Sequence, residues 1–164
     1  MDKEELLKEI SKTKEHLATM KKMLKEYEYE RWKPRYMQEY YSVNATGEAT
    51  ENTWRDSDFD ECRYDFYNCF QTREQAEQEA EKILVRRTLE AIARRLNKDK
   101  KIDWSDNTQV KYSIYLDATD NEIDWDKENR FITQGAVYCL DMDFYKVAIQ
   151  EIGEERLGKY LRGD

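Results

Sequence analysis

The sequence predicts an α+β chain: an antiparallel sheet packed on helices, with a long amphipathic helix at the N-terminus. Three observations carry that reading. A heptad row runs from Leu6 to Tyr27, one apolar stripe at helical spacing runs from Ala76 to Leu96, and aromatic or β-branched segments separated by turn residues flank that stripe. The expected organisation is an N-terminal helix over 1–31 and an α+β domain over 32–164.

Leu6, Ile10, Leu17, Met20, Leu24 and Tyr27 follow alternating four- and three-residue steps, broken only at Thr13. That is a coiled-coil seam, with Ile10, Leu17 and Leu24 at one core position and Leu6, Met20 and Tyr27 at the other. Glu9 and Lys14 fall where a parallel partner's flanking charges would pair. Two readings stay open, a helix laid on its own domain or an arm that forms a homodimer. Trp32-Lys33-Pro34 ends the helix, because the residue before proline is pushed towards extended geometry.

Tyr36 to Val43 reads as a strand, Asn44-Ala45-Thr46-Gly47 as a turn and Glu48 to Trp54 as a returning strand. An acidic loop from Asp56 to Glu61 leads into Tyr64 to Phe70, a short aromatic strand. Thr72 then caps a helix, with Gln75 placed to complete a capping box. Ala76, Ala80, Ile83, Leu84, Val85, Leu89, Ile92, Ala93 and Leu96 form its apolar stripe. Asn97, which tolerates left-handed backbone, and the following Lys98-Asp99-Lys100-Lys101 close it.

Gln109 to Leu116 alternates as a half-buried strand does, and a second acidic loop runs from Asp117 to Glu128. Arg130 to Thr133 and Ala136 to Leu140 follow as strands. Asp141 caps a helix that turns Phe144, Val147, Ala148 and Ile152 inward, and Gly153 breaks it before a short terminal helix. Strands then helix, twice over, is a weak ββ(β)α duplication: Cys69-Phe70 before Thr72 has its counterpart in Cys139-Leu140 before Asp141.

Charged residues make up 39% of the chain, yet 12 Tyr, 4 Trp and 5 Phe supply enough ring area to hold a fold. The net charge of −8 is uneven: 4 basic against 12 acidic groups over 36–82, and 7 against 14 over 102–164. Such a surface repels nucleic acid and attracts basic partners. Cys62, Cys69 and Cys139 are odd in number and lack CxxC spacing, which points to no disulfide framework and to the cytoplasm. No apolar run approaches ~20 residues, so no membrane span is expected.

No catalytic or metal-binding pattern stands out in the sequence. The single histidine, His16, flanks the heptad seam and offers no base to a Ser or Cys nucleophile. The glycines stand alone rather than in a phosphate-cradling loop, and zinc spacing is missing. Asp56-x-Asp58-x-Asp60 opens like a calcium loop, but Glu61 stands at the sixth position where glycine is required; from Asp117 that position is Glu122. The expectation is no enzyme, no cofactor and no metal.

Trp32-x-Pro34, Tyr40-Tyr41-x-Val43 and Asn68-Cys69-Phe70-x-Thr72-x-Glu74-x-Ala76-Glu77 resemble a set of small proteins carried by phages and prophages of Gram-positive bacteria. Ile102-Asp103-Trp104, Gln109-x-Lys111-Tyr112 and Ala148-Ile149-x-Glu151-Ile152-Gly153-Glu154-Glu155-Arg156 are similar too, so the resemblance covers most of 32–157. The chain departs from the pattern with Met37-Gln38 where a glycine is common before the Tyr pair, and with Tyr67 where glycine usually precedes the Asn. Some small acidic phage proteins inhibit host defence, anti-CRISPR proteins among them. By analogy, this chain is expected to inhibit a host defence nuclease, with a CRISPR effector as partner, in the host cytoplasm.

The residues placed to do so are acidic arrays. Asp120, Glu122, Asp124, Asp126 and Glu128 alternate with other residues and, if extended, would set five carboxylates on one face about 6.6 Å apart, the scale of a phosphate row. Asp56, Asp58 and Asp60, with Glu61, repeat the pattern, and Phe59 and Trp125 stand within the arrays as anchors. The other reading of both arrays is a solvated loop. The alternative function is a phage replication accessory protein that binds nucleic acid through the basic end of helix 72–97, where Arg86, Arg87, Arg94, Arg95, Lys98, Lys100 and Lys101 gather. The net negative field opposes that alternative, so no direct nucleic-acid contact is expected.

Overall fold

Two hairpins, each leading through further chain into a helix, make up most of the molecule. The elements run α1 (Lys3–Glu28), β1 (Glu39–Val43), β2 (Ala49–Thr53), α2 (Asp58–Asp65), α3 (Arg73–Asn97), β3 (Lys111–Asp117), β4 (Glu122–Glu128), α4 (Phe144–Ile152) and α5 (Glu154–Arg162). The structure is a computed structural model and describes residues 3–28, 31–98 and 100–163. The chain divides into two units, Met1–Arg35 and Tyr36–Asp164. In the first, α1 is 26 residues long.

The class is α+β. In place of one antiparallel sheet, the described residues form two separate two-stranded sheets, β1–β2 and β3–β4. Each hairpin is closed by local turn chemistry. Asn44 Oδ1 accepts the N–H groups of Thr46 and Glu48, both at 2.9 Å, and Asp117 Oδ1 accepts the Thr119 N–H at 2.8 Å. The register runs from Tyr40 opposite Asn52 in the first hairpin to Leu116 opposite Ile123 in the second. Helix α3 contacts β1 and β2, and its Val85, Leu89, Ile92 and Ala93 build the main core with Ile114, Ile123, Phe144, Ala148, Ile152 and Leu157. Leu84 leaves the expected stripe and is exposed, since three successive residues of a helix cannot all face one way.

Several expected elements are replaced. Tyr64 to Phe70 is not a strand: the Ser57 side chain accepts the Asp60 N–H and Asp60 reaches back to the Ser57 N–H, a capping box that winds Asp58–Asp65 into α2. Capping overrides the strand preference of the aromatic residues. Only Phe70 bridges to Tyr41, through bonds of 2.8 and 2.9 Å, and the Asn68 amide forms the next rung by bonding both backbone groups of Val43. In the segment from Arg130 to Leu140, Cys139 alone bridges, to Tyr112. Helix α4 starts at Phe144 after Asp143, which makes no side-chain cap; Asp141 instead accepts the Asp143 N–H. At the end of α3, Lys98 takes the positive φ and Asn97 turns inward to accept the Leu140 N–H at 2.7 Å, while Asp99 lies outside the described residues.

Met37 and Tyr67 have φ of 63° and 59°, in the left-handed region that favours glycine. Met37 is exposed, and its N–H bonds to Trp54 C=O at 2.7 Å. Met37→Gly is therefore expected to stabilise the chain by about 0.5–1 kcal/mol, read from denaturant midpoints, by removing a side chain from a conformation it resists.

Candidate protein-binding faces

Strand alternation sets the outer face of hairpin β3–β4. Ile114 and Ile123 turn into the core, so their neighbours along each strand turn away from it. That face carries Ser113, Tyr115 and Asp117 of β3 opposite Asp126, Asp124 and Glu122 of β4, with Glu128 opposite Lys111. Glu122, Asp124 and Asp126 are exposed and Glu128 is half-buried. Asp120 is not in the row: it sits in the turn, where its carboxylate accepts the Glu122 N–H at 3.0 Å. Asp117 joins the face across from Glu122, although it lies outside the row that alternation marks along the second array.

Trp125 does not stand among these carboxylates. Period-two geometry turns it to the opposite face, where it is 40% exposed and its ring lies 5.7 Å from that of Tyr112. No other strand pairs with β4 among the described residues. Its edge is instead blunted locally: Asp124 accepts the Trp125 N–H at 2.8 Å, Asp126 accepts the Lys127 N–H at 2.7 Å, and the Tyr145 hydroxyl donates to Ile123 C=O at 3.1 Å.

The face has one closed end and one open one. Lys111 is fully buried, donates to Asp106 C=O at 3.1 Å and lies 5.1 Å from the Trp104 ring centroid. Trp104 in turn packs edge-on against Tyr138. Towards the open end, partial desolvation and then the charges of Asp124, Asp117 and Asp126 raise the Tyr115 phenol above its ordinary value. The field of the strand face is thus felt by a group within it.

The first array is dissolved by α2. Asp60 is 4% exposed. Its Oδ1 accepts the Tyr40 hydroxyl at 2.7 Å, and its Oδ2 accepts the Arg55 N–H at 2.9 Å and the Ser57 hydroxyl at 2.7 Å. Arg63 donates to the Tyr40 oxygen at 2.8 Å. Burial opposes the Asp60 charge, but these hydrogen bonds outweigh it and hold the carboxyl down at about 2. Burial, reinforced by Asp60, pushes Tyr40 up to about 12. Asp60 is therefore a structural carboxylate and no surface contact. Asp56 accepts the Trp54 indole N–H at 2.5 Å, Glu61 is half-buried, and Asp58 and Phe59 remain exposed.

The remaining expected residues are spread out. At the basic end of α3, Arg86 pairs with Glu90 at 3.0 Å and Arg95 pairs with Glu151, while Arg87, Arg94 and Lys98 are exposed. A groove of about 460 Å³ between α3 and α5, unmarked by any sequence motif, is lined by Glu77, Glu81, Lys82, Arg156 and Lys159, and the Arg156–Glu81 pair lies in it. On α1, Ile10, Leu17 and Met20 are exposed; the side chains of Leu6, Leu24 and Tyr27 lie outside the described residues. Among the described residues no three His, Cys, Asp or Glu side chains gather to hold a metal ion, and no helix is long and apolar enough to cross a membrane. No known family, curated protein or solved structure matches the chain.

Proposed function

We propose that the chain binds a basic, nucleic-acid-handling protein, with the outer face of hairpin β3–β4 standing in for a phosphate row. The observation that carries this reading is the fixed ladder of Glu122, Asp124 and Asp126, with Asp117 across from it. Strand geometry holds those carboxylates about 6.6 Å apart on an exposed surface. A groove that neutralises phosphates gains comparable attraction from such a row, and the attraction steers association.

The resemblance to small phage proteins narrows the partner to a host defence nuclease such as a CRISPR effector. It has support in the backbone, because Met37 and Tyr67 hold left-handed conformations where the resemblance expects glycine. The duplication belongs to the same proposal: Tyr41 bridges to Phe70 just before α3, and Tyr112 to Cys139 just before α4. The rival reading, nucleic acid held on the basic end of α3, is weakened because Arg86 and Arg95 are already paired within the chain.

The test is capture from a phage host at graded salt, with D124N/D126N beside the parent chain. Asn keeps an oxygen acceptor for the Trp125 and Lys127 N–H groups, so the strand edge stays closed while two charges go. Affinity for a basic partner is expected to fall about tenfold near 50 mM salt and by less at high salt. A partner that is not basic, or an unchanged affinity, would refute the reading.

A further inference from the structure

Helix α2 presents a second feature. Phe59 and Phe66 are each 79% exposed, and Cys62 between them is exposed too. Steps of three and four residues put all three on one side of the helix and its C-cap. Large apolar side chains grouped on an otherwise charged surface mark interaction sites more than single exposed residues do.

The mounting is rigid. On its inner side α2 is held by the Ser57–Asp60 capping box, by the Asp60–Tyr40–Arg63 hydrogen bonds, and by Tyr64 packed edge-on against Trp54 at 6.3 Å. A short helix fixed in this way loses little freedom on binding, which favours affinity. Around the stripe stand Asp58 and Asp65, both exposed, and Glu61.

We infer that Phe59, Cys62 and Phe66 form an aromatic plug that enters an apolar cleft rimmed by lysine or arginine on a protein partner. This rests on the proposed function and supplies the apolar contact that a carboxylate face cannot. Charge complementarity selects the occupant. A second copy would bring Asp58, Glu61 and Asp65 against their own kind, and an anionic lipid surface would repel them. Anchors at i, i+3 and i+7 are the pattern by which a helix is read in a groove. Aromatic anchors of this kind carry most of the binding energy where they are fully desolvated.

The experiment compares the parent chain, F59A/F66A and D124N/D126N in complex with the basic protein captured above, and uses N-ethylmaleimide as a footprint of Cys62. Both phenylalanines are largely exposed, so the fold is retained, which the circular dichroism spectrum verifies. The expected result is at least a tenfold loss of affinity in F59A/F66A with the salt slope unchanged, and alkylation of Cys62 at least tenfold slower in the parent complex than in the free chain. Affinity within twofold of the parent, together with a Cys62 that reacts equally fast in the complex, would overturn the plug while leaving the acidic-face reading in place. Failure of the parent chain to capture any basic protein would overturn both. Binding of the parent chain to phosphatidylcholine vesicles that F59A/F66A loses would assign the stripe to lipid and overturn the plug alone.

Discussion

Trp54→Ala is expected to lower the stability of the Tyr36–Asp164 unit by about 4 kcal/mol, measured by denaturant unfolding. Trp54 is 1% exposed and lies between two other rings, edge-on to Tyr40 at 5.8 Å and to Tyr64 at 6.3 Å. Its backbone also closes the end of the first hairpin, through the Met37 N–H at 2.7 Å and Gln38 C=O at 2.9 Å. Alanine would leave a void the size of an indole and orphan the edges of both tyrosines. Because Trp54 and Tyr40 stand apart from the main core on α3, the damage should be local. Hydrogen exchange of the Tyr40 and Ser42 amides is expected to rise far more than that of Tyr115 or Asp124. Equal loss of protection in both hairpins would show that the two act as one cooperative unit.

Asp60→Ala should cost roughly 3 kcal/mol, since it removes a helix cap and leaves the Tyr40 hydroxyl and the Ser57 and Arg55 N–H groups short of an acceptor. The same site gives the chain a pH signature. Asp60 titrates at about 2 when folded, below its unfolded value, so its contribution is complete above ~pH 4 and is lost as pH falls through about 2. Tyr40 titrates at about 12 when folded, above its unfolded value. Its contribution is complete below ~pH 10 and is lost as pH rises towards about 12. Stability should therefore erode at both extremes, and Tyr40→Phe should abolish the alkaline part while shrinking the acid part, because the hydroxyl it removes is one of the donors that hold the Asp60 carboxyl down. An alkaline limb that survives in Tyr40→Phe would place its origin elsewhere.

Helix α3 was legible because its signals are local. Thr72 and Gln75 bond each other's backbone as the capping box requires, and Val85, Leu89, Ile92 and Ala93 fall on the buried side that their spacing demands. The turn at Asn44–Gly47 and the break at Gly153 were legible for the same reason, since the φ values of 86° and 90° at Gly47 and Gly153 suit the residue placed there. Helix α2 was missed although Ser57 and Asp60 stand at capping distance, because the run from Tyr64 to Phe70 reads as strand and a three-residue signal in an acidic stretch reads as loop.

What the sequence by itself determined, then, were the period and the N-terminal cap of α3 and the turn at Asn44–Gly47, all set by contacts between residues three or four apart. Alternation put Asp120, Glu122, Asp124, Asp126 and Glu128 on one face only if this acidic loop were extended; β4 is extended over Glu122–Glu128, and Asp120 falls in the turn. Only the tertiary structure decided which carboxylates stay in water. Asp58 and Asp60 are chemically alike and two residues apart, yet one is exposed and the other lies under Tyr40 and Ser57. Lys111, which any count of charge would place in solvent, is fully buried beside Trp104, a residue seven positions earlier. The physical reason is that burial is a property of what packs over a side chain. The cover comes partly from afar, Tyr40 lying 20 residues from Asp60, and partly from nearby chain that the fold turns back, Ser57 onto Asp60 and Trp104 onto Lys111.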